Sequence, residues 1–459
     1  MGSLTEAVKK AGSPVELLRN STASPQVVPI EVPREYTNWE SEQLAWHTTC
    51  GLLDQSHHMV TITLEGPDLV PFLARIGINT FANFGVNRAK QLVACSPEGF
   101  LIGQGILFRI SEEKAMLVGP WGVMDWVEYQ HAITPNRLRF RREGTSFSRA
   151  GDPEYFRYEV QGPTAPDVVR DLLGGELPEL GFFHMSQASV DGREITFLRH
   201  GMVGQPGYEI FGKWEDKDVV TRALLAAGEK HGMTRTGAYA YFTTAVYSGY
   251  LPGVLPAVYT SPELADYRDW LSDRSFEATA PLGGSFFSDD VEDYYLTPFA
   301  LGYDRALKFD HDFIGREALQ RMVDDGVPAR KKKVTLIWNP DDVASIYRSW
   351  FDEGENAKML QLPGGPGYTT FRYDSVRADG VHVGTSGYPG AASIYRKVLS
   401  VAILDSEYAV EGRELTLLWG EEPNSGKARV ESHRQKEIRV TVAPAPFSDY
   451  ARTDYRTKA

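Results

Sequence analysis

The sequence predicts an α+β protein, two α/β units followed by a separate antiparallel β-barrel, and two observations predict it. Up to about residue 300, short apolar runs alternate with amphipathic stretches that open on a recurring Gly-Pro turn. Beyond about Pro328 the texture changes to short strand-like runs separated by turns.

In the first unit Val60–Leu64 reads as a strand, and Gly66-Pro67-Asp68 opens a helix that runs through Phe72. The device returns at Gln161-Gly162-Pro163-Thr164, which follows a second strand. Thr164 can cap, Pro166 suits the first helical turn, and Val168, Val169, Leu172 and Leu173 recur at helical spacing until Gly174. In the last unit Val334–Trp338, Val398–Ile403, Leu415–Trp419 and Ile438–Val442 are strand-like. Asp379-Gly380 is a two-residue hairpin turn between Phe371-Arg372-Tyr373 and Val381-His382-Val383. These elements divide the chain into an α/β region, 1–328, and a barrel, 329–459, with a loosely held polar tail beyond Pro446. Arg330-Lys331-Lys332-Lys333 at the junction reads as a solvated linker guarding the next strand. Gly364-Gly365-Pro366-Gly367 lacks the Lys-Ser/Thr ending and following helix of a phosphate cradle and reads as a mobile loop.

At 459 residues the chain is long enough for two or three packed units. Acidic residues outnumber basic ones by 61 to 48, a net charge of -13, which argues against a general affinity for nucleic acid or anionic membrane and leaves a small molecule as the expected partner. No apolar stretch is long enough to span a bilayer, and Met1–Asn20 lacks the apolar core of a secretory signal, so a cytoplasmic protein is expected. Cys50 and Cys95 are too few and too far apart for a disulfide framework or a thiolate metal site and are expected as buried free thiols. There is no P-loop, dinucleotide fingerprint, zinc-protease helix or serine elbow, and no metal is expected. The sequence carries no symmetry argument for an oligomer.

What remains is polar residues set inside apolar elements. In Leu52–Met59, Asp54, Gln55, Ser56, His57 and His58 precede a strand; adjacent side chains of extended backbone face opposite ways, so His57 and His58 cannot line one cavity together. Glu209 stands between apolar residues in Gly207-Tyr208-Glu209-Ile210-Phe211, where alternation allows it to face either water or a pocket. Phenols crowd the segment 239–250, as core packing or as the wall of a site for a flat ligand.

Taken together, these segments resemble the T-protein of the glycine cleavage system. Asp54–Met59 is similar to that family's D-x-S-H-M segment, Gln161-Gly162-Pro163 to its Q-G-P turn, and Gly207–Ile210 to its G-Y-E-I motif. Lys308-Phe309 with Asp312–Leu319 resembles its K-F…F-I-G-R-E-A-L signature, and Gly384-Thr385-Ser386-Gly387 its V-T-S-G hairpin. The resemblance implies two intertwined α/β domains plus a C-terminal antiparallel β-barrel around a central channel that holds tetrahydrofolate. Two departures point away from glycine cleavage: Gly99–Ile106 lacks the paired acids of the aminomethyltransferases, and Gly237–Gly249 puts Tyr241 and Phe242 where they carry Arg and Asp. These changes, with Gly77–Phe81, resemble the tetrahydrofolate-dependent vanillate, syringate and 3-O-methylgallate O-demethylases.

That second resemblance implies transfer of a methyl group from a methoxylated aromatic acid to N5 of tetrahydrofolate, giving 5-methyltetrahydrofolate and a catechol-type product. It implies His58 and Tyr241 as catalytic residues, Gln161, Glu209 and Tyr250 as folate contacts, and Gln55, Ser56, His57 and Tyr247 around the substrate. A tyrosine, with a pKa of about 10, is a proton donor near neutrality, which suits protonation of a departing aryl oxide. An arginine expected to grip the substrate carboxylate is missing near Gly119-Pro120-Trp121-Gly122. The alternatives are a non-aromatic donor on the same scaffold, such as dimethylsulfoniopropionate, sarcosine or glycine, and a noncatalytic folate-binding module.

Overall fold

The computed structural model describes residues 2–24, 29, 31–364, 367–421, 427–454 and 456. Gly365 and Pro366 of the glycine-rich loop lie outside the described residues, as do 455 and 457–459 of the tail.

A five-stranded antiparallel sheet runs in the order Arg88–Cys95, Leu101–Ser111, Lys114–Gly119, Val60–Glu65, Arg139–Glu143. A six-stranded sheet runs Met233–Thr236, Cys50–Asp54, Tyr155–Gln161, Gly207–Lys213, Arg193–Arg199, Met185–Val190, and only its first pair is parallel. The chain lays down Cys50–Asp54, leaves to build the whole five-stranded sheet, and returns at Tyr155, so the two α/β units are intertwined.

Each unit buries one helix stripe through the same local device. Helix Leu69–Ile76 turns Leu69, Phe72, Leu73 and Ile76 into the first core; helix Ala165–Leu173 turns Val168, Val169 and Leu172 into the second. Each such side chain contributes about 1.5–3 kcal/mol when fully buried. The preceding glycines are obligatory. Gly66 has φ +150° and Gly162 φ +139°, and a Cβ there would lie 2.1 Å from the Arg137 carbonyl oxygen and 2.5 Å from that of Thr49. Thr164 occupies the cap position, but its hydroxyl donates to the carbonyl of His231, 3.1 Å away, instead of accepting from its own helix. The cores meet where Phe108 packs edge-on against Phe211, centroids 5.5 Å apart.

The third unit is a closed barrel in the order Lys331–Trp338, Lys397–Asp405, Val381–Ala392, Asp374–Ala378, Glu414–Trp419, Lys436–Pro444. Asp379 and Gly380 both take positive φ, 49° and 82°, as a two-residue hairpin requires.

Three sequence expectations change here. Phe371-Arg372 pairs with Leu282-Gly283 outside the barrel, and Asp374–Ala378 is the barrel strand instead. Lys331–Lys333 are the first residues of a barrel strand, with Lys331 paired to Asp405 at 3.2 Å and burial drawing Lys333 down to about 8. The segment after Pro446 is docked: Phe447 packs against Tyr395, centroids 4.9 Å apart, and Ala451 is buried in the short helix Asp449–Thr453. Cys50 and Cys95 are free and buried, and burial pushes both thiols up, Cys50 to about 12. No helix among the described residues is long and apolar enough to cross a membrane.

Candidate active site

The strand Tyr155–Gln161 decides the chemistry of the buried region where His58 and Tyr241 lie. Its alternate residues Phe156, Tyr158 and Val160 pack into the helix-covered core, so Arg157, Glu159 and Gln161 take the opposite face. Register then sets Glu209 directly beside Glu159 on the neighbouring strand, two carboxylates side by side away from water. Such a pair is tolerated only with compensation. Arg157 supplies part of it, donating Nε and Nη2 to one Glu209 oxygen at 2.8 and 2.5 Å. Burial raises the Glu159 carboxyl; burial opposes charge on His200, but Glu159, 3.6 Å away, overcomes this and raises the imidazole. Glu159, Glu209 and His200 are close enough together to approach a metal-ligand set, yet the guanidinium on Glu209 already fills the cationic role.

Opposite these acids stands a neutral pair. Tyr241 and His58 share a hydrogen bond of 2.7 Å between the phenolic oxygen and Nε2, their rings edge to face. Burial, and then the nearby Arg157, draws His58 down to about 4, so the imidazole is neutral at pH 7. Burial pushes the Tyr241 hydroxyl up, with Arg157 working against the shift, so it keeps its proton. The short helix Ala238–Tyr241 is anchored by the buried Glu42, which accepts from the amide of Gly237 at 2.7 Å and from those of Tyr36 and Thr37. Gly237 is needed there because a Cβ would meet the Arg34 carbonyl oxygen at 2.4 Å.

Tyr250 lies deep beside Tyr241, Tyr303 and Tyr388, and burial pushes its hydroxyl well up. His58, Tyr241 and Tyr250 are enclosed by the protein yet keep accessible surface, as residues lining an internal space do. The wall from the five-stranded sheet is uncharged: Gln91 donates to Gln104 and to the Tyr303 hydroxyl at 2.9 Å each, Tyr303 also bonds Gln104, and Gln104 donates to the Leu251 carbonyl at 2.9 Å.

The structure gathers His58, Tyr241, Tyr250 and Glu209 around this space and gives the other expected residues different work. Gln161 uses its whole amide on the loop before Glu209, donating to the carbonyls of Gln205 and Pro206 at 2.6 and 3.1 Å and accepting from the amides of Met202 and Val203 at 2.5 and 3.2 Å. These bonds staple the loop before Glu209 to the strand. Ser56 is buried with its hydroxyl on the backbone of Arg157, accepting from the amide at 2.9 Å. His57 faces away from His58, edge-on to Trp214 and 3.7 Å from Asp54. Gln55 is buried with its amide 3.0 Å from the Met202 sulfur. Tyr247 is a core residue that donates to Gln43 at 3.0 Å and packs edge-on against Trp46. Sequence reasoning missed Arg157 and Glu159, although the alternation Arg-x-Glu-x-Gln leading into Gln161 was visible.

Comparison with known proteins agrees with this architecture. The GCVT N-terminal domain matches residues 19–251. A syringate O-demethylase from a Sphingobium species is 42% identical over 457 residues, covering 99% of this chain and 97% of that protein. The chain belongs to the GCVT family. The sesamin methylene transferase of a Sinomonas species is 30% identical over 91% of this chain and 90% of its own length. The crystal structure of the glycine cleavage system aminomethyltransferase T from Bartonella henselae shares the fold, with a TM-score of 0.60 at 18% identity over 97% of both chains. Within this GCVT fold, the hydrogen-bonded Tyr241–His58 pair faces the compensated acids of the six-stranded sheet across one space.

Proposed function

We propose that the protein is a tetrahydrofolate-dependent O-demethylase of methoxylated aromatic acids of the syringate, vanillate or 3-O-methylgallate type. The observation that carries this reading is the 2.7 Å bond between Tyr241 and His58, a neutral phenol held by a neutral imidazole deep in the molecule. An aryl oxide departs more readily when a donor meets its oxygen as charge develops, and a positioned donor is worth about 10²–10⁴-fold. Tyr241 donates, and His58 fixes the direction of the hydroxyl, while the guanidinium of Arg157 offsets part of the charge of Glu209 and Glu159 nearby.

The residues present suit a reduced pterin. Its ring N–H groups need acceptors, and Glu209 stands beside the carboxyl oxygens of Glu159, which have no hydrogen-bond partner among the described residues. Tyr250 offers a flat face. Tetrahydrofolate would supply N5, which takes the methyl group as the methyl–oxygen bond breaks and gives up its own proton, so that the aryl oxide gains one proton overall; the protein's part is to bind and align two flat molecules and to hold the Tyr241 hydroxyl as a hydrogen-bond donor to the leaving oxygen. The region 1–328 then carries the folate and the chemistry, the barrel 329–459 closes it, and the reaction belongs in the cytoplasm, where reduced folates are maintained.

The test is to incubate the purified protein anaerobically with tetrahydrofolate and syringate, vanillate, 3-O-methylgallate or dimethylsulfoniopropionate, and to assay 5-methyltetrahydrofolate. Product from an aromatic ether supports the reading and ranks the substrates. Turnover of the sulfonium compound alone, or of no donor, overturns it.

A further inference from the structure

We propose that a pocket of the third unit, lined by Lys358, Arg372 and Arg429, binds a compact aliphatic dicarboxylate. None of the residues gathered around the Tyr241–His58 pair lines it, so the inference stands apart from the folate reading.

An irregularity of the fold builds this pocket. Phe371-Arg372 pairs with Leu282-Gly283 instead of joining the barrel, and the alternation that buries Phe371 turns Arg372 toward Tyr368 and Trp419. The Arg372 guanidinium carbon stands 5.1 Å from the centroid of each ring. Such contacts stabilise the charge but satisfy none of its N–H donors. The same Tyr368 ring carries the Lys358 amine at 4.5 Å and the Lys427 amine at 5.7 Å.

The acids nearby are already engaged. Glu431, the one carboxylate among the lining residues, accepts from the Lys358 amine at 2.8 Å and from the Met359 amide at 3.1 Å. Glu421 is buried behind them and accepts from Lys427 at 2.9 Å and from the Gly284 amide at 3.0 Å. Asp374 accepts from the Ser285 amide at 3.2 Å, and burial pushes its carboxyl up to about 7 although Arg372 works against the shift. Burial draws the Lys358 amine down, and Arg372 adds to this against the pull of Glu431. The side chains of Arg372 and Arg429 make no hydrogen bond or ion pair with any other described residue. In a chain of net charge -13, three cations around one engaged carboxylate are a local reversal of sign.

What is left open sets the chemistry of the occupant. A guanidinium fork takes a planar carboxylate through two parallel N–H···O bonds, and two unpaired guanidinium groups suit an acid with two carboxylates. Trp419 and Tyr368 are 2% and 8% exposed, so neither offers an open face on which an aromatic acid would stack. The volume, about 240 Å³, is small beside cavities that hold drug-sized ligands. A short aliphatic acid meets these conditions and a ring does not.

Isothermal titration calorimetry of the full chain without folate would use succinate, acetate, 3,4-dihydroxybenzoate and inorganic phosphate as probes, with the wild type, Arg372→Gln, Arg429→Ala and Arg429→Glu. Succinate is expected to bind the wild type more tightly than the other three, and less tightly as salt is raised. Arg372→Gln should weaken it by about tenfold or more, because a charged fork is lost. Arg429 is exposed, so its variants fold whether or not Arg372→Gln does; Arg429→Ala should weaken succinate by about two- to fivefold, and Arg429→Glu by more. Methyl transfer should keep its kcat in the Arg429 variants. Absence of saturable succinate binding, unchanged affinity in both Arg429 variants, or tighter binding of phosphate or of the aromatic acid would overturn the proposal.

Discussion

The two sheets present different chemistry to the same space. The six-stranded sheet contributes Arg157, Glu159 and Glu209, with His200 against Glu159, so its charges are compensated within the wall. The five-stranded sheet contributes Gln91 and Gln104, tied to Tyr303 and carrying no charge. Acids therefore sit where a ligand rich in N–H donors would need acceptors, and the other wall offers no anion to repel a forming aryl oxide. The Tyr241–His58 pair belongs to neither sheet's face: it hangs from a loop and a short helix that lie between them.

The largest expected effect tests that pair. Tyr241→Phe removes the donor and leaves both walls intact, so kcat for demethylation should fall by about 10²–10⁴-fold. Steady-state kinetics with KM for tetrahydrofolate little changed is the signature of a lost transition-state contact. A loss below tenfold would mean that the pair is scaffolding and the walls do the work.

Arg157→Ala attacks the charged wall. It leaves Glu209 buried without its partner, and breaking a buried ion pair from one side costs about 3–5 kcal/mol, read from the urea midpoint. Retained stability in this variant would show that the carboxylates are held neutral without the guanidinium and that the wall is not a charged one.

The histidines flanking Arg157 sharpen the contrast through pH. His58 is drawn from 6.5 to about 4, so between those values the unfolded chain binds a proton that the native protein refuses. Stability contributed by neutral His58 is thus full above pH 6.5 and lost as pH falls toward 4, on the order of 3 kcal/mol at most. His200 is raised, so its contribution is present below its unfolded value and lost as pH rises through the folded one. Chemical denaturation at pH 4.5 and 7 should show the acid-side loss shrink in His58→Gln; an unchanged slope would deny His58 its buried neutral state.

How much of this was legible in the sequence depends on the range of the interaction that decides each residue. Gly66 and Gly162 announced their turns because positive φ is a local demand that only glycine meets cheaply. Adjacent His57 and His58 had to part company because extended backbone alternates, and they do. Glu209 stayed ambiguous because its partner is supplied by a strand fifty-two residues earlier. The loop contacts of Gln161 were hidden for the same reason: its amide is engaged by the backbone of a loop whose position no local pattern encodes. Phe371-Arg372 looked like a barrel strand because apolar alternation does not say which edge, near or remote, a strand will find.

Tyr247 supplies the smallest and most discriminating test, because family resemblance and geometry divide over it. Resemblance put it beside the substrate, whereas the structure buries it against Trp46 with its hydroxyl on Gln43. Gln43 spends the rest of its amide on Thr243, Ser393 and the Ala391 carbonyl, so the network joins the helix that carries Tyr247 to the barrel. Tyr247→Phe keeps the ring and deletes one donor to an oxygen that Ser393 still serves, so the expected loss is about 1 kcal/mol of stability with KM for the aromatic acid unchanged. Thermal denaturation and substrate kinetics on the one variant separate the readings. A raised KM at unchanged stability would return Tyr247 to the site and show that the cavity reaches past Tyr241 into what now looks like core.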